Sequence, residues 1–143
     1  MKNLNTSAII YRLFRYSDRS AIALAFSPEY GKLKLFMSSA YSRKHGFMTL
    51  TPGNLTFDMK ERSDLQRFGS FSHDPAYYHY SQTPEIIMRL NICFDFFEHL
   101  FHFGEMCPVF WSLCLKYSRD NYRKAGLYTV YRLIKEAGVM FNL

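Results

Sequence analysis

The hydrophobic pattern changes period partway along the chain. Up to about residue 71, apolar positions recur every second residue in short runs, the signature of strands with one buried face. In Ser7 to Phe14, Ile9, Tyr11 and Leu13 fall on one side, and Ala8, Ile10, Arg12 and Phe14 on the other. In Arg19 to Phe26, Ile22, Leu24 and Phe26 are expected to face the core, with the alanines between them admitting another element closely. In Lys32 to Ser38, Leu33, Leu35 and Met37 point one way and Lys32, Lys34 and Phe36 the other. Leu55, Phe57 and Met59 alternate with Thr56, Asp58 and Lys60, and a weaker fifth run, Leu65 to Phe71, is broken by Gly69, a predicted bulge. Turn signals separate the runs at Arg15–Asp18, Ser27–Gly31, Thr51–Asn54 and Glu61–Asp64. Five short strands joined by turns predict a small antiparallel barrel. The OB-fold and the SH3-like barrel both have five strands, and alternation does not choose between them.

Ser72 to Gln82 is polar and rich in tyrosine, and beyond it the period becomes helical. Thr83-Pro84-Glu85 supplies a capping hydroxyl, a proline at the first helical position and an early acid. Ile86, Leu90, Cys93, Phe94, Phe97, Leu100 and Phe101 then recur at three and four, predicting a helix that ends near Gly104. Val109, Phe110, Leu113, Cys114 and Tyr117 mark a second helix behind Pro108. A third is capped by Asp120 or Asn121, with Leu127, Val130, Tyr131, Ile134 and Ala137 as its expected inner stripe and Gly138 as its stop. The expected fold class is α+β: a barrel over residues 1–74, a linker over 75–83 and an all-helical domain over 84–143.

Charge adds what periodicity does not carry. Residues 1–47 hold eight Lys and Arg against two acids, whereas residues 48–143 hold ten of each sign, so the whole net charge of +6 lies in the first third. Segregation of this kind suits a polyanion site better than general solubility. The outer face of the third strand carries Lys32, Lys34 and Phe36, and the loop after it carries Tyr41, Arg43, Lys44 and His45. Cations for phosphates and flat rings for bases are what a single-stranded nucleic acid requires. Arg12, Arg15 and Arg19, around the first hairpin, either extend that surface or pair with Asp18 and Glu29. Arg123, Lys124, Arg132 and Lys135 flank the third helix and suit either an acidic partner peptide or an ordinary wet helix face.

Other chemistries find little support. Three cysteines without close pairs fit reduced thiols in a cytoplasmic protein. Cys93, His99, His102 and Cys107 lack tight finger spacing, and Cys93 falls within an apolar stripe, so no metal and no cofactor is expected. There is no glycine-rich phosphate loop, nucleophile elbow or H-E-x-x-H, so no enzyme is expected. The most apolar segment, Ile86 to Phe103, is interrupted by Arg89, Asp95, Glu98 and His99, against a membrane span. Met1 to Ser7 is polar with no cleavable apolar core behind it, against a secretory leader. From the residues alone, a DNA-binding module, an RNA-binding barrel and a protein-interaction adaptor stand as alternatives.

The order of features resembles a known family. The turn RYSDRS, the hairpin SPEYGKLKLF, the basic loop SSAYSRKHG and the closing run YTVYRLIKEAGVMFNL follow one another as the corresponding features do in bacterial RecO recombination mediators. Ser17-Asp18, Glu29 to Leu33, Ser39 to Lys44 and Tyr131 to Leu143 stand at the matching places. The resemblance implies an OB-fold followed by helices and a non-enzymatic role in recombinational DNA repair. It implies binding of single- and double-stranded DNA, strand annealing, and recombinase loading with a RecR-type partner. It also implies recognition of the acidic tail of single-strand-binding protein through the helical domain. By position, Lys32, Lys34, Arg43 and Lys44 would carry DNA contacts. Ser39 replaces the glycine that usually opens the basic loop, and Gly46 is offset. The four-cysteine zinc element that many relatives carry after the closing run has no counterpart before Leu143, as expected of either a shortened lineage or a truncated chain.

Overall fold

A computed structural model describes residues 2–38 and 48–138. Five strands, β1 (Lys2–Arg15), β2 (Ala21–Ser27), β3 (Gly31–Met37), β4 (Gly53–Met59) and β5 (Leu65–His73), close a barrel in the order β1-β2-β3-β5-β4. One 3-10 turn (Pro75–Tyr77) leads into α1 (Tyr78–Ser81), α2 (Pro84–Leu100), α3 (Pro108–Cys114) and α4 (Tyr122–Glu136). The long β1 serves two neighbours. Lys2–Ala8 pairs with β4 and Ile9–Arg15 with β2. The last closure is parallel, Lys34, Leu35 and Phe36 lying against Leu65, Gln66 and Arg67, so the sheet is mixed and the antiparallel expectation is corrected. This is the OB-fold arrangement.

The barrel interior is filled by Ala8, Ile10, Ala21, Ala23, Ala25, Leu33, Leu35, Met37, Leu55, Phe57 and Phe68. On β2 the assignment of faces is therefore inverted. The alanines line the narrow interior, while Leu24 and Phe26 point outward into a second core shared with the helices. Alternation gives the phase of a strand but not which face is inside when both are covered. On β1 the register slips between Ile10 and Arg12, leaving Tyr11 as the extra residue of a bulge. The slip puts Tyr11 and Arg12 on the outer side together and pairs Leu13 with the inward Ala23, so the strict alternation read through this strand fails there. Gly69 is the predicted bulge. Phe57 pairs with Phe68 and Thr56 with Ser70, and a Cβ on Gly69 would lie 2.7 Å from Thr56 Oγ1.

The outer core binds the helices to the barrel. Tyr11 stacks on Phe94 at 4.7 Å, and Phe26 meets Phe97 at 4.7 Å and Phe110 at 5.1 Å. Buried aromatics of this size each contribute about 1.5–3 kcal/mol by leaving water. Residues 75–83 do not form a free connector. Tyr80 is fully buried, its hydroxyl donating to Cys114 O (2.6 Å) and accepting from Tyr117 N (3.0 Å). Burial pushes the ionisation of Tyr80 upward. Thr83 opens α2, but its hydroxyl donates back to His79 O rather than capping the helix.

On α4 the inner stripe is corrected in part: Val130 and Ala137 pack against the outer core as expected, but the most buried positions lie beside the expected ones. Gly126, Thr129 and Leu133 are buried, whereas Leu127 is 75% exposed and Tyr131 48%. The helix turns this way because Gly126 admits the Arg89 side chain and Thr129 accepts from the buried Tyr117 hydroxyl (3.0 Å). Among the described residues no helix is long and apolar enough to cross a membrane.

Candidate nucleic-acid interface

Two of the expected DNA-contacting cations turn away from solvent. Lys32 is 5% exposed, and its three ammonium protons meet Glu98 O (3.1 Å), Phe101 O (3.0 Å) and Glu98 Oε2 (3.1 Å). It thus sits at the carbonyl end of α2, where a cation is favoured by both the unpaired carbonyls and the helix dipole. Its backbone also pairs with the loop beyond α2: Lys32 N donates to Glu105 O, and Gly104 N donates to Lys32 O. The expectation that Lys32 lies open beside Lys34 is corrected, because α2 covers this end of the strand. Glu98 also accepts from the Tyr11 hydroxyl at 2.5 Å, and burial together with that carboxylate drives the Tyr11 ionisation up. Arg12 reaches the same helix, donating to Asn91 Oδ1 (2.7 Å), to Tyr11 O (2.8 Å) and to the Asp95 carboxylate. Arg12 and Lys32 are docking groups for α2.

The other end of the same face stays open. By register, Phe14, Ile22, Phe36 and Arg67 stand side by side across β1, β2, β3 and β5 on the outside of the barrel. Phe14 is 51% exposed and Arg67 is exposed, while Phe36 and Ile22 are half-buried. Tyr16, in the hairpin after β1, sets its edge on the Phe36 ring at 5.8 Å. Lys34 is half-buried in the next cross-strand row, between Leu24 and Leu65. Phe36, Lys60, Leu65, Gln66 and Arg67 line a shallow cleft of about 280 Å³. Arg15 and Arg19 are exposed around the β1–β2 hairpin. Tyr41, Arg43 and Lys44 lie outside the described residues, in the segment directly following β3.

The structure thus brings Lys34 and Phe36 together and adds residues that the sequence reading missed. Arg67 arrives through the parallel β3–β5 closure, a long-range pairing with no local signal, and Lys60 follows β4, its backbone amide donating to Gln66 Oε1 on β5. Phe14 and Tyr16 were legible as aromatics beside a basic hairpin. The arrangement offers rings for stacking with cations at their margin.

A sequence model described as Recombination protein O N terminal matches residues 1–72, half of the chain and nearly all of the barrel. The chain belongs to the RecO family. That membership places it in DNA recombination and repair, in a family of recombination mediators that are generally not enzymes. The search of curated proteins gives no match. Within the RecO frame the helical part carries a second charged surface. On α4, exposed Arg123, Lys124 and Lys135 bracket the exposed Leu127, Tyr128 and Tyr131. Arg132 is tied down, donating to Tyr128 Oη and Glu136 Oε1, both at 3.0 Å, and these contacts raise its already high pKa. Among the described residues no cluster of three or more His, Cys, Asp or Glu is placed to hold a metal ion.

Proposed function

We propose that this RecO-family chain is a non-enzymatic recombination mediator that binds single- and double-stranded DNA along the open flank of its barrel and assists strand annealing. The observation that carries this reading is the cross-strand row Phe14, Ile22, Phe36 and Arg67, left open where α2 covers the rest of the same face. Lys34, Arg67, Arg15 and Lys60 neutralise phosphates, and Phe36, Phe14 and Tyr16 receive unstacked bases. Arg43, Lys44 and Tyr41, which follow β3 in the sequence, carry the same two kinds of side chain. Neutralising two strands at once lowers their mutual repulsion, which is the physical basis of assisted annealing.

The same proposal extends to recombinase loading with a RecR-type partner and to the acidic tail of single-strand-binding protein. The outer face of α4 supports the latter, since cations bracketing apolar side chains suit an acidic peptide with an apolar anchor. The test is the annealing rate of complementary labelled oligonucleotides at low salt. Phe36→Ala and the double variant Lys34→Ala/Arg67→Ala are each expected to slow it severalfold. Wild-type rates in both would overturn the assignment of this flank.

A further inference from the structure

The outward side of α2 carries a row of apolar side chains that the described residues leave uncovered. Met88 is 59% exposed, Ile92 44% and Phe96 39%, and none of the three belongs to either hydrophobic core. The row continues to exposed Glu85 in the first turn and exposed His99 in the last. The other sides of the helix are occupied. Its inner stripe, Ile86, Leu90, Cys93, Phe94 and Phe97, is buried. Asn91 and Asp95 on one flank hold Arg12 of the barrel, and Arg89 on the other lies over Tyr122 of α4, 5.8 Å from the ring centre. Three large apolar side chains in one row, between flanks that are already fixed, form a seam rather than scattered surface residues.

The spacing of that row says what fits it. Glu85, Met88, Ile92, Phe96 and His99 follow one another at intervals of three, four, four and three, which read the same from either end. Alternation of three and four is the seam along which two helices pair side by side, crossing at about 20°. A row symmetric about its middle residue, Ile92, is matched by a copy of itself running the opposite way. A two-fold axis there sets Ile92 against Ile92 of the second copy, Met88 level with its Phe96, and Glu85 opposite its His99. The charges agree with this direction. Among the described residues Glu85 has no ion pair or hydrogen bond of its side chain. His99 Nδ1 donates to Asp95 O (2.7 Å), which leaves Nε2 to carry a second proton toward a carboxylate. A parallel pair would instead set Glu85 against Glu85, whereas the antiparallel one also places each helix N-terminus beside the other's C-terminus. We infer that two copies of this chain associate through the outward seam of α2, antiparallel about Ile92. One helix from each copy buries less than the standard interface of about 1,600 Å², so the contact belongs to the weak, reversible class. The pairing does not depend on the proposed function. Together with it, the dimer carries two open barrel flanks, one for each strand to be annealed.

The experiment follows the weight-average mass of the full chain by sedimentation across the micromolar range, without DNA. The mass is expected to rise from one chain toward two and no further. Ile92→Glu sets two carboxylates against each other at the axis and is expected to raise the dissociation constant at least about tenfold. Ile92 is exposed in the single chain, so the urea midpoint of the dilute variant should match wild type. His99→Glu should weaken association severalfold by placing like charges at both ends of the seam, and Glu85→Lys/His99→Glu should restore it. A single chain at every concentration overturns the inference, as does growth beyond two. Association that Ile92→Glu leaves unchanged, or that the charge swap fails to restore, overturns it too. A dilute Ile92→Glu protein that has lost stability would show the seam to be covered by the chain itself, with the same consequence. The two readings fail separately. A single chain whose DNA binding responds to Lys34→Ala/Arg67→Ala rejects the dimer alone, and a dimer whose DNA affinity ignores that substitution rejects the flank alone.

Discussion

Replacing Lys32 by Met separates a docking role from a DNA-binding role. Met keeps most of the stem while removing the charge and all three donors. The side chain left behind faces Glu98 O, Phe101 O and Glu98 Oε2, each now short of a partner. Two unit charges at this separation attract by about 5 kcal/mol at an effective dielectric constant of about 20, before desolvation is subtracted. Removing one partner of a fully buried pair costs about 3–5 kcal/mol. The Glu98 side chain is 33% exposed and retains the Tyr11 hydroxyl, so the expected loss here is about 2–4 kcal/mol. Urea denaturation reads this directly, and in a melt it corresponds to a drop of roughly 6–12 °C for a chain of this size. A double-mutant cycle with Glu98→Gln isolates the ion pair, with an expected coupling of about 1–2 kcal/mol. The salt dependence of DNA binding should be unchanged. A Lys32→Met protein of wild-type stability with a reduced salt slope would refute the docking assignment.

Gly31 sits at φ +69°, and a Cβ there would lie 2.2 Å from Glu105 O. Gly31→Ala should therefore cost more than about 3 kcal/mol in thermal or urea unfolding, well beyond the ordinary left-handed penalty, and a loss under 1 kcal/mol would contradict the packing described. The three cysteines are buried, and burial raises each thiol, Cys93 to about 11. With a folded pKa near 11, about one Cys93 in a thousand is thiolate at pH 8, so a thiol reagent should label all three only as fast as the protein unfolds. A thiol whose pKa is raised on folding stabilises fully below its unfolded value and loses that contribution as pH climbs through the folded one. From its ordinary value of 9.0 to about 11, Cys93 alone removes up to about 2.7 kcal/mol between pH 9 and pH 11. Tyr11, Tyr80 and Tyr117 are shifted in the same direction, chiefly by burial, and steepen the fall above pH 10. Urea midpoints that stay constant from pH 8 to pH 11 would contradict this burial.

Elements and their order were legible because strand and helix periods differ and turn residues mark the joints. What stayed hidden depended on contacts between distant residues. Alternation on β2 placed Leu24 and Phe26 correctly on one face. It could not say that the barrel is narrow enough to take the alanines inside while the larger side chains serve a second core. On α4 the apolar stripe Leu127, Tyr131 pointed to the wrong side because the helix is oriented by a small residue, Gly126, and a hydrogen-bonded one, Thr129. The charge count in the first third was real. It overstated the open basic surface, because Asp95 and Glu98 on α2 neutralise Arg12 and Lys32. Arg67 has no neighbouring basic residue on β5, and only the parallel closure against Phe36 brings it to the flank.

The central claim is that the open flank of the barrel holds DNA by phosphate neutralisation around Lys34 and Arg67. Its most direct test is the affinity for a short single-stranded DNA measured over a range of salt concentrations. The Lys34→Ala/Arg67→Ala variant should show a log–log slope shallower than wild type by about 1.4, about 0.7 for each lost contact, whereas Phe36→Ala should weaken binding by about 1–3 kcal/mol with the slope intact. A slope that the double variant leaves unchanged would contradict the account.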